Sequence, residues 1–256
     1  MPRPQRLPPT ARRVFLLCLL ALAAEGAYHF FFAQLLPSTA DFNLLPQDLA
    51  VGLGSLACAL FFYWLARLRY SGKALRRLPG AWGASCAVVL GLCAAAACLQ
   101  WRRPAADFDL AHLPLRAAGF VSALCVAACE EIGFRGALTL AVREWAGKAG
   151  TVWALVLGSL GFALLHGGYQ SLWNIPFAAA AGLALGVARL RGASLFSLVL
   201  AHGLMDGVDA LWLSPSLTLG YWPALRATVL ALLTVLALFF LPRADDELPP
   251  PALKKA

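Results

Sequence analysis

Six ionisable residues stand in stretches that are otherwise apolar. They are Glu130, Glu131 and Arg135 in the run Glu130-Glu131-Ile132-Gly133-Phe134-Arg135, His166 closing Phe162-Ala163-Leu164-Leu165-His166, and His202 with Asp206 in His202-Gly203-Leu204-Met205-Asp206. Their neighbours are Ala, Leu, Val and Gly, with no amphipathic stripe that would place them on a solvated face. Spacing decides which of them can meet. Residues four apart share a helix face, so Glu131 can pair with Arg135 and neutralise it, and His202 and Asp206 can face one cavity. Glu130 is turned about 100° from Glu131 and is left for a different partner. A carboxylate taken out of water is a base suited to work near neutral pH. Histidine can donate to a developing oxyanion, protonate a leaving amine or ligate zinc. This set of groups suits activation of water beside a peptide carbonyl, in a low dielectric that strengthens every electrostatic contribution. No Ser or Cys accompanies the set in a nucleophile motif and HExxH is absent, so direct attack by water is expected in place of an acyl-enzyme.

The elements that carry these residues are membrane spans. The chain is 61% hydrophobic and 13% charged, with a mean hydropathy of +0.72. A soluble domain of this size is about 45–50% apolar and about 25% charged, so this composition leaves too little polar surface to cover a particle in water. A spanning helix needs about 20 apolar residues. Stretches near 14–36, 49–68, 82–100, 116–142, 150–168, 171–190, 193–213 and 222–241 qualify. The expected fold is therefore all-α, a polytopic bundle of about eight transmembrane helices, because lipid offers backbone groups no partners. Arg12 and Arg13 followed by Val14 to Ala24 could open a signal peptide, but apolar sequence resumes at Tyr28 and runs to Leu36, which suits a retained span.

With the N-terminus inside, Lys and Arg collect on the cytoplasmic side. Arg3, Arg6, Arg12 and Arg13 are followed there by Arg67, Arg69, Lys73, Arg76, Arg77, Arg143, Lys148, Arg189, Arg191, Arg243, Lys254 and Lys255, against Arg102, Arg103 and Arg116 opposite. This bias places both termini in the cytoplasm. Trp212, Tyr221 and Trp222 flank the last external loop as an aromatic belt, and Arg226 can snorkel toward it. Basic residues in small clusters between apolar stretches give no continuous face for nucleic acid, which is not expected as a partner. Counting rise from the cytoplasmic ends puts Glu130, His166 and His202 roughly 14–24 Å deep on three separate helices. Cys18, Cys58, Cys86, Cys93, Cys98, Cys125 and Cys129 form no CxxC pair and are expected to be packing residues. Glu25 and His29, four apart in the first span, read as a local pair or a water-facing patch. Asp209 is expected to be solvated, and Gln170 and Asn174 to belong to loop polarity near the outer surface.

At its three polar motifs the sequence resembles the CPBP family, also called Abi proteins, which includes the type II CAAX prenyl proteases. The family signature is EExxxR on one span, FxxxH on the next, and HxxxN or HxxxD further on. Here it reads Glu130-Glu131 with Arg135, Phe162 with His166, and His202 with Asp206. The resemblance covers roughly 115–213 and implies an intramembrane endopeptidase core. Around it lie a cytoplasmic tail (1–13), three variable spans with their loops (14–114), the last external loop and final span (214–241), and a disordered tail (242–256). By the resemblance, Glu130 activates water and His166 helps to hold it. Glu131 and Arg135 brace the site, and His202 with Asp206 stabilises the oxyanion side. Asp206 departs from the Asn of the prenyl proteases, and a carboxylate donates no hydrogen bond unless protonated. Members are described both as metalloproteases and as glutamate proteases. The expectation here is that no cofactor is required, with zinc on Glu130, His166 and His202 as the other possibility.

The expected partners are the lipid bilayer and a membrane-anchored protein or peptide substrate. Two other functions suit parts of the pattern: a non-catalytic scaffold or bacteriocin-immunity protein of the same family, and a small transporter or proton relay. The spans show no paired half-length broken helices and no repeat symmetry, which counts against the transporter. Abundant Arg, Ala and Leu suggest a GC-rich bacterial genome, hence an inner-membrane location. C-terminal processing of anchored proteins, or peptide maturation, then ranks above CAAX cleavage.

Overall fold

Continuous apolar runs become helices because a helix satisfies its own backbone hydrogen bonds where no water can. A computed structural model describes residues 10–35, 44–71, 82–100, 113–167, 174–210 and 221–241. Among them there is no strand. The helices are α1 (Ala11–Leu35), α2 (Leu44–Arg69), α3 (Trp82–Gln100), α4 (Leu113–Glu130), α5 (Thr139–Trp145), α6 (Gly150–Gly167), α7 (Asn174–Leu190), α8 (Leu195–Ala210) and α9 (Tyr221–Phe240). A π-helical segment, Glu131–Leu138, joins α4 to α5, and a 3-10 turn, Gly147–Ala149, leads into α6. Asp48–Arg69, Leu113–Trp145, Gly147–His166 and Trp222–Phe240 are long and apolar enough to cross a membrane, and Trp82–Ala97, Ile175–Leu190 and Leu195–Gly207 are shorter apolar helices. The expected all-α membrane bundle is the observed fold.

One feature of the fourth span differs from expectation. Instead of a single α-helix, the rod Leu113–Trp145 widens into the π-helix for eight residues. A π turn adds a residue to the helical circuit and re-aims the side chains that follow, and such turns concentrate at functional sites. Here it begins at Glu131, inside the polar motif.

Packing runs from α1 to α2, α2 to α4, α4 to α8, α8 to α3, α3 to α9, α9 to α7 and α7 to α6. The π segment touches α1, α2, α6, α7 and α8, so it lies at the centre of the bundle. Side chains are sorted inside out relative to a water-soluble protein. Leu90, Leu164, Phe196 and Phe240 are each at least 70% exposed, whereas Ala59, Ala95, Ala127, Ala137, Ala181 and Ala201 are buried between helices. Lipid gives leucine no reason to hide, and small residues let backbones approach. Gly203 on α8 shows this most sharply, since a Cβ there would stand 2.5 Å from Leu124 Cδ2 and 3.2 Å from Leu124 Cα of α4. Gly203→Ala should destabilise the protein by about 1–3 kcal/mol through overpacking. Gly158→Ala on α6, where a Cβ would meet nothing within 4 Å, should instead gain up to about 1 kcal/mol of helix propensity. Melting temperatures in detergent check both; equal shifts would show that the α4–α8 approach is not tight.

Basic residues fasten one end of the bundle. Arg69 grips Glu144 with two hydrogen bonds, Nε donating to Oε2 at 2.7 Å and Nη2 to Oε1. Arg191 donates to the carbonyls of Phe239 and Leu241 at 3.0 and 3.1 Å, satisfying acceptors that the end of α9 leaves open. Arg189 donates to Ala193 O at 2.9 Å.

Candidate active site

The site is built where α4 passes into the π-helix. Glu130 is the last residue of α4 and Glu131 the first of the π segment, and both are buried. Arg135 Nη1 donates to Glu131 Oε1 at 2.7 Å, the pair expected from their spacing. Arg135 Nη2 reaches across to Gly182 O on α7 at 3.0 Å. Its guanidinium also lies 4.7 Å from the centre of the Phe162 ring, which gives the cation an aromatic face. The close approach needs glycine at 182, because a Cβ there would stand 3.3 Å from Arg135 Nη2 and 3.2 Å from Ser159 Cα. A planar fork suits this double engagement, which a lysine ammonium could not reproduce.

His202, fully buried on α8, lies 3.0 Å through Nδ1 from the same Glu131 oxygen that Arg135 uses. A carboxylate bound to Arg can only accept, so Nδ1 carries the proton and Nε2 faces the reaction side. Glu130 Oε2 is 3.7 Å from this Nε2, and Asp206 Oδ2 is 3.1 Å from it. The Asp206 contact is within ion-pair range. His166 on α6 donates from Nδ1 to Phe162 O at 2.8 Å, which leaves its Nε2 with the lone pair in the neutral ring. Phe162 packs between the histidines, its ring centre 4.3 Å from that of His166 and 5.1 Å from that of His202.

One ligand atom from each of Glu130, His166 and His202 falls within 4.8 Å of the others. Three helices thus bring together the three residues that spacing placed at similar depth. Glu130 Oε2 and His202 Nε2 are both buried and make no hydrogen bond within the protein. Polar atoms in that condition call for a water, an ion or a substrate group between them. A separation of 3.7 Å admits a bridging water, and is close to the roughly 3.3 Å between ligands implied by zinc bonds of about 2.0–2.1 Å. The donor set therefore fits zinc as well as water. Asp206 and Glu130 add an acidic pole around His202 Nε2, and the Asp206 side chain, 35% exposed, marks the open side of the site. A separate cleft lined by Phe134, Arg135, Ser159 and Gly182 lies behind the guanidinium and does not include Glu130 or the histidines.

Glu25 corrects one sequence expectation. It is buried, not water-facing, and lies beside Ser55 of α2 and Cys129 of α4. These two neighbours come from other helices, so no local spacing could reveal them. The His29 half of the expected pair lies outside the described side chains, as do Asn174, Asp209 and Tyr221; Gln170 and Trp212 lie outside the described residues altogether.

Helices with outward-facing leucines around a buried Glu, His, His cluster are those of an integral membrane bundle with a polar centre. Residues 112–208 match the family model described as type II CAAX prenyl endopeptidase Rce1-like, so this segment is similar to the protease group that its motifs resemble. The matched segment carries all six motif residues, and α1, α2 and α3 lie outside it. No curated protein and no solved structure matches the chain.

Proposed function

We propose that the protein is an intramembrane endopeptidase that hydrolyses peptide bonds of membrane-associated substrates with water activated by Glu130. The observation that carries this reading is the unsatisfied pair, Glu130 Oε2 and His202 Nε2, facing one another across 3.7 Å in a buried protease-family core. Glu130 takes a proton from water as its oxygen attacks the carbonyl, and returns that proton to the leaving amine. His166, fixed by Phe162 O, presents its lone pair to hold the same water. His202 donates to the oxyanion from Nε2. Because its Nδ1–H is already committed to Glu131, the donating ring is the imidazolium, and Asp206 at 3.1 Å balances that charge. A carboxylate therefore serves here where the prenyl proteases have an amide: it supports His202 and does not itself touch the oxyanion. If zinc is bound, Glu130, His166 and His202 would hold it, and it would supply Lewis-acid polarisation. The basic end of the bundle, with Arg69, Arg189 and Arg191, faces the cytoplasm in this reading.

The substrate class is membrane-anchored proteins cut near their C-termini. The test is a co-expressed library of anchored C-terminal tails, with products mapped by mass spectrometry, run with and without a zinc chelator. Tail products that depend on the protein support the proposal; chelator-sensitive product restored by zinc assigns the metal route. No product from well-folded protein overturns it in favour of a scaffold, and solute movement in liposomes without hydrolysis would favour a transporter.

A further inference from the structure

A second cluster of metal-ligating side chains lies beside the proposed active site, built mostly from helices outside the family match. Glu25 comes from α1, Cys58 from α2 and Cys129 from α4, and one ligand atom from each falls within 4.8 Å of the other two. Glu25 and Cys129 are buried and Cys58 is half-buried. Cys129 lies against both Cys58 and Glu25, and Ser55, fully buried one turn before Cys58, lies beside Glu25. Each residue alone has a bland explanation, since cysteine is a common small packing residue. A carboxylate held against two thiols inside a lipid-facing bundle is different, because ionisable side chains within spans are costly and concentrate where they pair or bind.

We propose that Glu25, Cys58 and Cys129 form a metal site for a zinc-class divalent cation, distinct from the Glu130, His166 and His202 set. Zinc takes thiolate sulfur at about 2.3 Å and carboxylate oxygen at about 2.0–2.2 Å in a tetrahedron, which places ligand atoms roughly 3.5–3.8 Å apart. Contraction by an ångström or so, within side-chain rotation, closes the observed cluster to that geometry. The mixed sulfur and oxygen donor set excludes calcium and magnesium, which take oxygen alone. Binding releases the protons of both thiols and of the carboxylic acid if it is protonated, leaving two thiolates and a carboxylate on the cation. Ser55 stands beside the carboxylate, where partners behind metal ligands commonly sit. The cation would fasten α1 and α2 to α4 at the residue immediately before Glu130, so the variable helices help position the site they surround.

The site does not depend on the peptidase reading, and its test is separate from cleavage. Purified full-length protein, stripped of metal in detergent micelles, is titrated with Co2+. Only thiolate ligands give an intense near-ultraviolet sulfur-to-cobalt charge-transfer band, and the other cluster contains no sulfur. The band is expected in the wild type and in Glu130→Gln, and is expected to disappear in Cys58→Ser and Cys129→Ser. Glu25→Gln should weaken Co2+ affinity by at least about tenfold, since even residues behind metal ligands cost that much. Cys58→Ala provides a second variant at the half-buried position should Cys129→Ser fail to fold. No band in monodisperse wild type, or a band that survives loss of Cys58, overturns the proposal whatever the cleavage assay shows.

Discussion

Glu130→Gln is expected to lower cleavage of a susceptible tail by about 10²–10⁴-fold, the contribution of a positioned general base, while leaving the fold intact. The substitution keeps shape and volume but removes the ability to take a proton. It breaks no hydrogen bond from Oε2, because that atom makes none within the protein. Nor does it break the hydrogen bonds of the brace behind it, because those of Arg135 and His202 are made to Glu131. Melting temperature should therefore stay near that of the wild type as activity disappears. Glu131→Gln should behave differently. Its amide oxygen can still accept from Arg135 and His202, but the guanidinium then sits buried without a counter-charge, so stability falls along with activity. A Glu130→Gln protein that keeps more than about a tenth of wild-type activity would place the base elsewhere, since a lost general base costs at least about 10²-fold. Glu25 is the first residue to examine in that event, being buried close behind on α1.

The contrast between the two glutamates was readable from spacing alone, and the reason is physical. In an apolar helix an ionisable residue is conspicuous, and a separation of four puts Glu131 over Arg135 whatever surrounds them. The apolar runs likewise located the helices to within a few residues, because length and lack of charge are sufficient conditions for a span. Interactions between helices carry no such local mark. Gly182 contributes a carbonyl to Arg135, and a backbone acceptor has no sequence signature. The π segment from Glu131 to Leu138 packs against five neighbouring helices, and no periodicity in eight residues announces it. The burial of Glu25, in place of a water-facing patch, is hidden from the sequence for the same reason. The residues beside it, Ser55 and Cys129, come from α2 and α4, and nothing in the first span marks them.

Arg135→Leu should cost about 3–5 kcal/mol of stability, the usual result of removing one partner from a buried ion pair. Three contacts disappear at once: the hydrogen bond to Glu131 at 2.7 Å, the one to Gly182 O at 3.0 Å, and the face of Phe162 at 4.7 Å. The larger part of the loss is the Glu131 carboxylate left charged in the centre of the bundle. That attribution makes a sharper test possible. If the stranded charge dominates, adding Glu131→Gln to Arg135→Leu should recover stability relative to the single Arg135→Leu variant, giving a coupling of about 0.5–3 kcal/mol. Arg135→Lys should fall between the two extremes, since one ammonium keeps the charge but cannot serve Glu131 and Gly182 together. Cleavage should not return in the double variant. His202 Nδ1 would face a neutral amide in place of the carboxylate that supports its charged, oxyanion-donating form. Unfolding in detergent measured alongside tail cleavage separates the two consequences. Strictly additive stability losses would mean that Arg135 matters through Gly182 and Phe162 packing, and that Glu131 is held by His202 alone.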